Sequence, residues 1–288
     1  MAATPSRLVL ATRGSDLALR QAELTQARLE AIHPRVEVAL EVVRTSGDRQ
    51  TQWSLEQQGG VGLFTLEVER AVREGRADIA VHSAKDMPTQ MEPDVTVAAC
   101  LPREAVNDVL VVRKGVGVPQ VIATGSPRRR AQAKRLFPKA VWKEIRGNVD
   151  TRLRKIANGE AEATLLAAAG LKRLGILAWA GVDLRPLEVR QMVPAPAQGA
   201  IALQTLTEKA HLLEGVGCGA TLHAVTVERA LLRALGGGCH TAYAAHWSNG
   251  RLWTFHETTG HGCFECAESA GPELDARIET IAKAIQSA

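Results

Sequence analysis

The 288-residue sequence predicts an α/β protein of two lobes built on mostly parallel sheets, with a small α+β domain at its C-terminal end. Three observations carry that prediction. Short apolar runs alternate with stretches of helical period twice over, from about residue 8 to 81 and again from 108 to 168. That is the β-α-β-α-β signature of a mostly parallel sheet. Val193-Pro194-Ala195-Pro196-Ala197-Gln198-Gly199 fits neither period, and its prolines read as a stiff hinge strand returning to the first lobe. From about Cys218 the pattern changes to a helix, a glycine loop, short strands and a last helix. The expected domains are residues 1–101 with 197–214, then 102–196, then 215–288.

In order, Leu8 to Leu10 reads as a strand that turns at Thr12-Arg13-Gly14-Ser15 into a helix carrying Ala18, Ala22, Leu29 and Ile32, with Ser15 as N-cap. Val36, Val38, Leu40 and Val42 alternate as in a strand, and Phe64, Val68, Ala71 and Val72 return to helical spacing that stops near Gly75. A strand at Asp78–Val81 follows. The second lobe repeats the logic: strands at Asp108–Val112 and Val121–Ala123, a helix capped by Ser126 with Pro127 at its first position, a strand at Val141–Ile145, a helix with Val149, Leu153 and Ile156, and a strand at Ala163–Ala168. The C-terminal domain needs a helix through Val227, Ala230, Leu231 and Ala234, the loop Gly236-Gly237-Gly238-Cys239, short strands, and a helix through Leu274, Ile278, Ile281 and Ile285.

Composition narrows the chemistry. A hydrophobic content of 45% is ample for real cores, but aromatics make up only 3%, so those cores are built from Ala, Val, Leu and Ile. The net charge of +4 comes without long basic blocks, so an acidic small molecule fits at least as well as nucleic acid. Arg128-Arg129-Arg130 is the one basic run, and scarce aromatics weaken a nucleic-acid role. Five cysteines are too few and odd in number for a disulfide framework, and no stretch of about 18 apolar residues or signal pattern is present. Reduced thiols in the cytoplasm are the expectation.

Ser83, Lys85 and Asp86 fall at the carboxyl end of a strand, where open α/β sheets gather ligands. Lys85 beside Asp86 is often only a surface ion pair; after a buried strand, the carboxylate is placed to stabilise developing positive charge and relay a proton. Arginines recur at strand-to-helix junctions: Arg13 with Ser15, Ser126 with Arg128 and Arg129, and Arg146-Gly147-Asn148-Val149 with Arg152. A single arginine on a helix end is as readily a solvated group. Repetition on two lobes, with helix N-termini that favour anions, points to a cleft for several carboxylates. Cys239 in a glycine loop suits covalent attachment better than core packing, though a lone cysteine is commonly a buried thiol. His256, His261, Cys263 and Cys266 look superficially like zinc ligands, but Cys263 and Cys266 would face opposite sides of a strand, so no metal is expected.

These residues resemble one family, the porphobilinogen deaminases (hydroxymethylbilane synthases). The resemblance lies in Ala11-Thr12-Arg13, Gly60-Val61-Gly62-Leu63-Phe64, Arg76 through Asp86, Arg146-Gly147-Asn148-Val149, Ala169 through Leu174 and Gly237-Gly238-Cys239, in order from about residue 8 to 245. It implies two periplasmic-binding-protein-like (type II) lobes and a third domain bearing a cofactor cysteine. The implied reaction condenses four porphobilinogen molecules into linear hydroxymethylbilane with release of ammonia. Growth starts on a dipyrromethane primer held as a thioether, here on Cys239. On the same resemblance Asp86 is catalytic, steadying the azafulvene-like cation left by ammonia loss. Cys239, Lys85, Ser83, Ser126, Arg128, Arg129, Arg146 and Asp86 hold the cofactor; Arg13, Ser15, Arg152, Arg173, Gln198 and Phe64 serve the substrate. A monomer, with no nucleic-acid or membrane partner and with product passing to uroporphyrinogen III synthase, is also implied. Val61, Gly125, Ala197 and Gln204 stand where the family usually has lysine, serine, glycine and an acid; Ala242 replaces the usual proline after Cys239, and Trp253–Glu268 matches nothing in the family's third domain. The competing reading is a degenerate two-lobed binder of an anionic pyrrole or other carboxylate, which would need neither Asp86 nor Cys239.

Overall fold

The computed structural model describes residues 5–43, 65–236 and 242–287. The first stretch runs β1 (Arg7–Arg13), α1 (Asp16–Ile32), β2 (Glu37–Val43), α2 (Leu66–Arg73), β3 (Ile79–Ser83), a 3₁₀ turn at Ala84–Asp86, and β4 (Val95–Cys100). The second runs β5 (Asp108–Arg113), β6 (Val121–Ala123), α3 (Pro127–Leu136), β7 (Val141–Lys143), α4 (Val149–Ala157), β8 (Ala163–Ala167), α5 (Ala168–Arg173) and β9 (Val182–Pro186). Then come β10 (Ile201–Leu206), a 3₁₀ segment at Thr207–Leu213, α6 (Gly219–Ala234), β11 (Tyr243–Ser248), β12 (Arg251–His256), β13 (Gly260–Glu265) and α7 (Gly271–Ser287).

Two five-stranded sheets share one topology. The first is ordered β2-β1-β3-β10-β4 and the second β7-β6-β8-β5-β9. In each, the first three strands are parallel and the fourth is antiparallel to both neighbours. This is the arrangement of type II periplasmic-binding-protein lobes, and the β-α-β-α-β repeat expected from the sequence accounts for its parallel half. The chain divides into two compact units, described residues 5–43, 65–104 and 199–223 in one and 105–198 with 224–287 in the other. Among the described residues it therefore crosses between them after Glu104, Gln198 and His223.

Sequence dictates the first core plainly. Leu8, Leu10, Ile79, Ile201 and Leu203 are buried on central strands, with Leu29 of α1 packed against them. Each contributes roughly 1.5–3 kcal/mol by leaving water, whereas exposed ion pairs are each worth about 0.2–1 kcal/mol, so the core sets stability. The alternating run through Val38, Leu40 and Val42 forms strand β2 as expected, with Leu40 and Val42 36% and 49% exposed, because β2 is an edge strand whose outer positions lack a covering layer among the described residues. One expectation needs correction. Residues 193–199 form no strand: they turn, with Ala197 at φ 63° and Gly199 at φ 87°, and pairing resumes only at Ile201. The prolines stiffen this stretch without extending it into a ladder.

The C-terminal part is an antiparallel meander, β11-β12-β13, covered by α6 and α7 around Val227, Leu231, Trp247, Leu252, Ile278 and Ile281. Its other face meets the second sheet's layer through Ala242, Ala244, Phe255 and Trp253 against Ala131 and Val193. His261 Nε2 lies 3.2 Å from Gln132 Oε1, and the Arg190 guanidinium stacks 5.4 Å from the Trp253 ring. The divergent Trp253–Glu268 segment is thus the docking edge of the small domain.

Candidate active site

In the first unit, β1 and β3 run parallel with Ala11 opposite Ala80, so Arg13 and the Ser83–Asp86 turn come off the same edge of the sheet. Ser15 caps α1 by accepting from the Ala18 amide at 3.4 Å, which leaves the helix N-terminus beside Arg13. The turn is pinned from both ends: the Ala84 amide donates to the Ala200 carbonyl at 3.1 Å, and Met87 is 3% exposed. Burying Ala84 and Met87 forces Asp86, between them, outward, and it is exposed while Lys85 is half-buried. Ser83 is fixed by Gln21, whose Nε2 lies 2.8 Å and Oε1 3.1 Å from its hydroxyl. Behind the turn, Gln204 Nε2 donates to Glu69 Oε2 at 2.7 Å, so its oxygen faces His82 Nε2 at 2.8 Å. An amide oxygen only accepts, which makes His82 Nε2 the protonated nitrogen. Gln204, where the family favours an acid, is therefore a neutral bridge between a buried histidine and a buried carboxylate.

In the second unit the equivalent β6-to-α3 junction carries Ser126, which accepts from the Arg129 amide at 3.4 Å, with Pro127 in the first turn. Arg128 and Arg129 are both buried, and both meet Asp108 at the start of β5. Arg128 Nη2 is 2.8 Å from Oδ2; Arg129 Nε and Nη2 donate to Oδ1 at 3.0 and 2.7 Å. Their remaining bonds run to the Val193 and Leu165 carbonyls. Burial alone would push the Asp108 carboxyl up, but the two guanidinium groups outweigh it and hold the group at about 2. Burial lowers Arg128 as well, with Asp108 opposing. One carboxylate against two guanidinium groups leaves a buried unit of positive charge.

The remaining sequence-derived candidates have definite places. Gly147, at φ 113°, leads into α4; a Cβ there would lie 2.7 Å from Thr151 Cγ2, so only glycine fits, and its carbonyl accepts from Arg152 Nε at 2.7 Å. Arg146 and Arg173 are half-buried, Arg173 ending α5 just beyond β8, as Asp86 ends the turn beyond β3. Gln198 is fully buried and donates to the Val106 carbonyl at 2.7 Å and Asp108 Oδ1 at 3.2 Å. Cys239, Phe64 and Val61 lie outside the described residues. Cys263 is exposed and Cys266 buried, and no group of three or more metal-ligating side chains occurs among the described residues. Sequence reasoning missed Gln21, Asp108 and Glu228, whose side chains fix Ser83, the arginine pair and the Ala197 turn. Only Asp108 left a trace, as an acid opening an otherwise apolar strand.

Two α/β units of one topology, each with arginines and a capping hydroxyl at a strand-to-helix junction, define a two-lobed α/β class of protein. The sequence model of the family described as "Porphobilinogen deaminase, dipyromethane cofactor binding domain" matches residues 8–214. The chain is 40% identical over 246 residues to the porphobilinogen deaminase of Roseiflexus sp. (strain RS-1), covering 83% of this chain and 80% of that one. It is 38% identical over 283 residues to the probable porphobilinogen deaminase of Hyperthermus butylicus, covering 95% and 89%. With the enzyme of Neisseria meningitidis serogroup A it shares 39% over 267 residues, covering 89% and 85%. The chain belongs to the porphobilinogen deaminase family.

Proposed function

We infer that this chain is a hydroxymethylbilane synthase (porphobilinogen deaminase), joining four porphobilinogen molecules head to tail with loss of ammonia in tetrapyrrole biosynthesis. The observation that carries this reading is the unbroken family match through both sheets, including the turn that exposes Asp86 at a strand end. Asp86 steadies the positive charge left on a porphobilinogen carbon as its ammonia departs, and takes up or returns the proton of a pyrrole nitrogen. Lys85, Ser83, Ser126, Arg128, Arg129 and Arg146 hold the acetate and propionate groups of the dipyrromethane, while Arg13, Ser15, Arg152, Arg173, Gln198 and Phe64 serve the incoming substrate. When bound, the dipyrromethane supplies the nucleophilic pyrrole from which the chain grows, and Cys239 anchors it through a thioether. His82, donating to Gln204, backs the turn from inside the sheet.

No helix among the described residues is long and apolar enough to cross a membrane. The enzyme works in the cytoplasm as a monomer and releases its product to uroporphyrinogen III synthase. The test is the intact mass of the purified protein before and after incubation with porphobilinogen. An increment of one dipyrromethane that maps to Cys239 and is missing from Cys239→Ser supports the reading. A wild-type chain that gains no such mass and releases no ammonia refutes it, and points to the degenerate binder.

A further inference from the structure

Asp108 gathers residues from two separate motifs onto one buried carboxylate. Arg128 and Arg129 come from the β6-to-α3 junction, and Gln198 from the turn where the chain leaves the second unit. Its side chain is wholly buried, so water is excluded as a substitute partner. Arg129 spends all three guanidinium nitrogens on Asp108 and the Leu165 carbonyl, and Arg128 is held a second time by the Val193 carbonyl. Gln132 fixes Val193 in turn, donating to its carbonyl at 2.9 Å and accepting from its amide at 2.7 Å. The two guanidinium groups therefore have a single arrangement, imposed before any ligand arrives, and the carboxylate that imposes it also trims their joint charge from two units to one.

We propose that Asp108 is a positioning residue for dipyrromethane uptake, orienting Arg128 and Arg129 as one preformed monovalent site for a carboxylate and linking that site through Gln198 to the crossing turn. The inference rests on the synthase reading above and names a residue that reading does not use. Charge and volume make opposite demands here. Asparagine keeps the shape of Asp108 but turns one oxygen into a donor facing guanidinium donors; glutamate keeps the charge at the expense of one extra methylene. Packing alone would favour asparagine, whereas orientation of the arginines favours glutamate.

The experiment follows primer loading by intact mass on chains purified without primer, after addition of porphobilinogen, alongside circular dichroism and thermal unfolding. Asp108→Asn is expected to load at least tenfold more slowly than wild type, and Asp108→Glu to lie between the two. Asn107→Ala, which removes a neighbouring bond to the Leu187 carbonyl without touching the arginines, is expected to unfold at lower temperature yet load normally. Asparagine loading as fast as wild type, or faster than glutamate, overturns the proposal. If the asparagine chain does not fold, a folded glutamate chain loading more than tenfold slower than Asn107→Ala overturns it, and one within threefold upholds it. A wild-type chain that never loads defeats the synthase reading and this inference with it.

Discussion

Asp86 is exposed at the tip of a turn whose neighbours Ala84 and Met87 are buried, so its carboxylate can change without disturbing the core. Asp86→Asn is expected to leave circular dichroism and the melting temperature unchanged while lowering turnover by roughly 10²- to 10⁴-fold, the range for a positioned acid–base group. Unchanged turnover would exclude that role. Asp108 behaves oppositely, since its chemistry is locked into the fold. Its folded pKa of about 2 lies below the usual 3.8, so its stabilisation is complete above 3.8 and is lost as pH falls through 2. The shift corresponds to about 2 kcal/mol. Urea unfolding of wild type and Asp108→Asn should therefore differ most at neutral pH, with the gap narrowing as the pH is lowered through that window. A gap independent of pH would contradict the assignment.

Helix α6 carries Glu228, fully buried, whose two oxygens accept from the Ala197 amide at 2.6 Å and the Trp247 amide at 2.8 Å. It thereby braces the strained Ala197 turn and the first strand of the meander with one carboxylate. Glu228→Gln must present an NH₂ to one of those donors, and is expected to cost about 1–3 kcal/mol in urea unfolding, the penalty for a buried group left unsatisfied. Elements of this kind show why legibility was uneven. Helices α1 and α3 could be read directly, because the caps Ser15 and Ser126 and the 3.6-residue period are encoded within a turn or two. Strands β4 and β10 went unread, since each depends on a partner distant in sequence: β4 pairs with β10, more than a hundred residues later. The candidate arginines were legible as a basic set at helix starts. Their burial was not, because nothing near Arg128 announces that Asp108, twenty residues earlier, would meet it. Buried glutamines such as Gln21 and Gln198 likewise look like ordinary surface residues until the fold supplies their partners.

At the scale of the molecule, the sequence repeat foretold two like sheets, but not that each would complete itself with a strand adjoining a crossing of the chain. The second sheet takes β5, just after the first crossing, and the first sheet takes β10, just after the second. This arrangement gives the chain an order of assembly. All five strands of the second sheet lie within Asp108–Pro186, so they are available to one another as soon as that stretch has left the ribosome. The first sheet must wait, because among the described residues β4 has β10 as its only ladder neighbour, and residues 201–206 are made a hundred positions later. Pulse-labelled hydrogen exchange during refolding should find β4 amides protected no earlier than those of β10, and protection of β4 ahead of β10 would refute this. During synthesis the half-built first sheet offers the unpaired edge of β3, Ile79–Ser83, to whatever strand reaches it first. The segment that ends in the candidate active-site turn is therefore, like β4, open to mispairing until residues 201–206 are made.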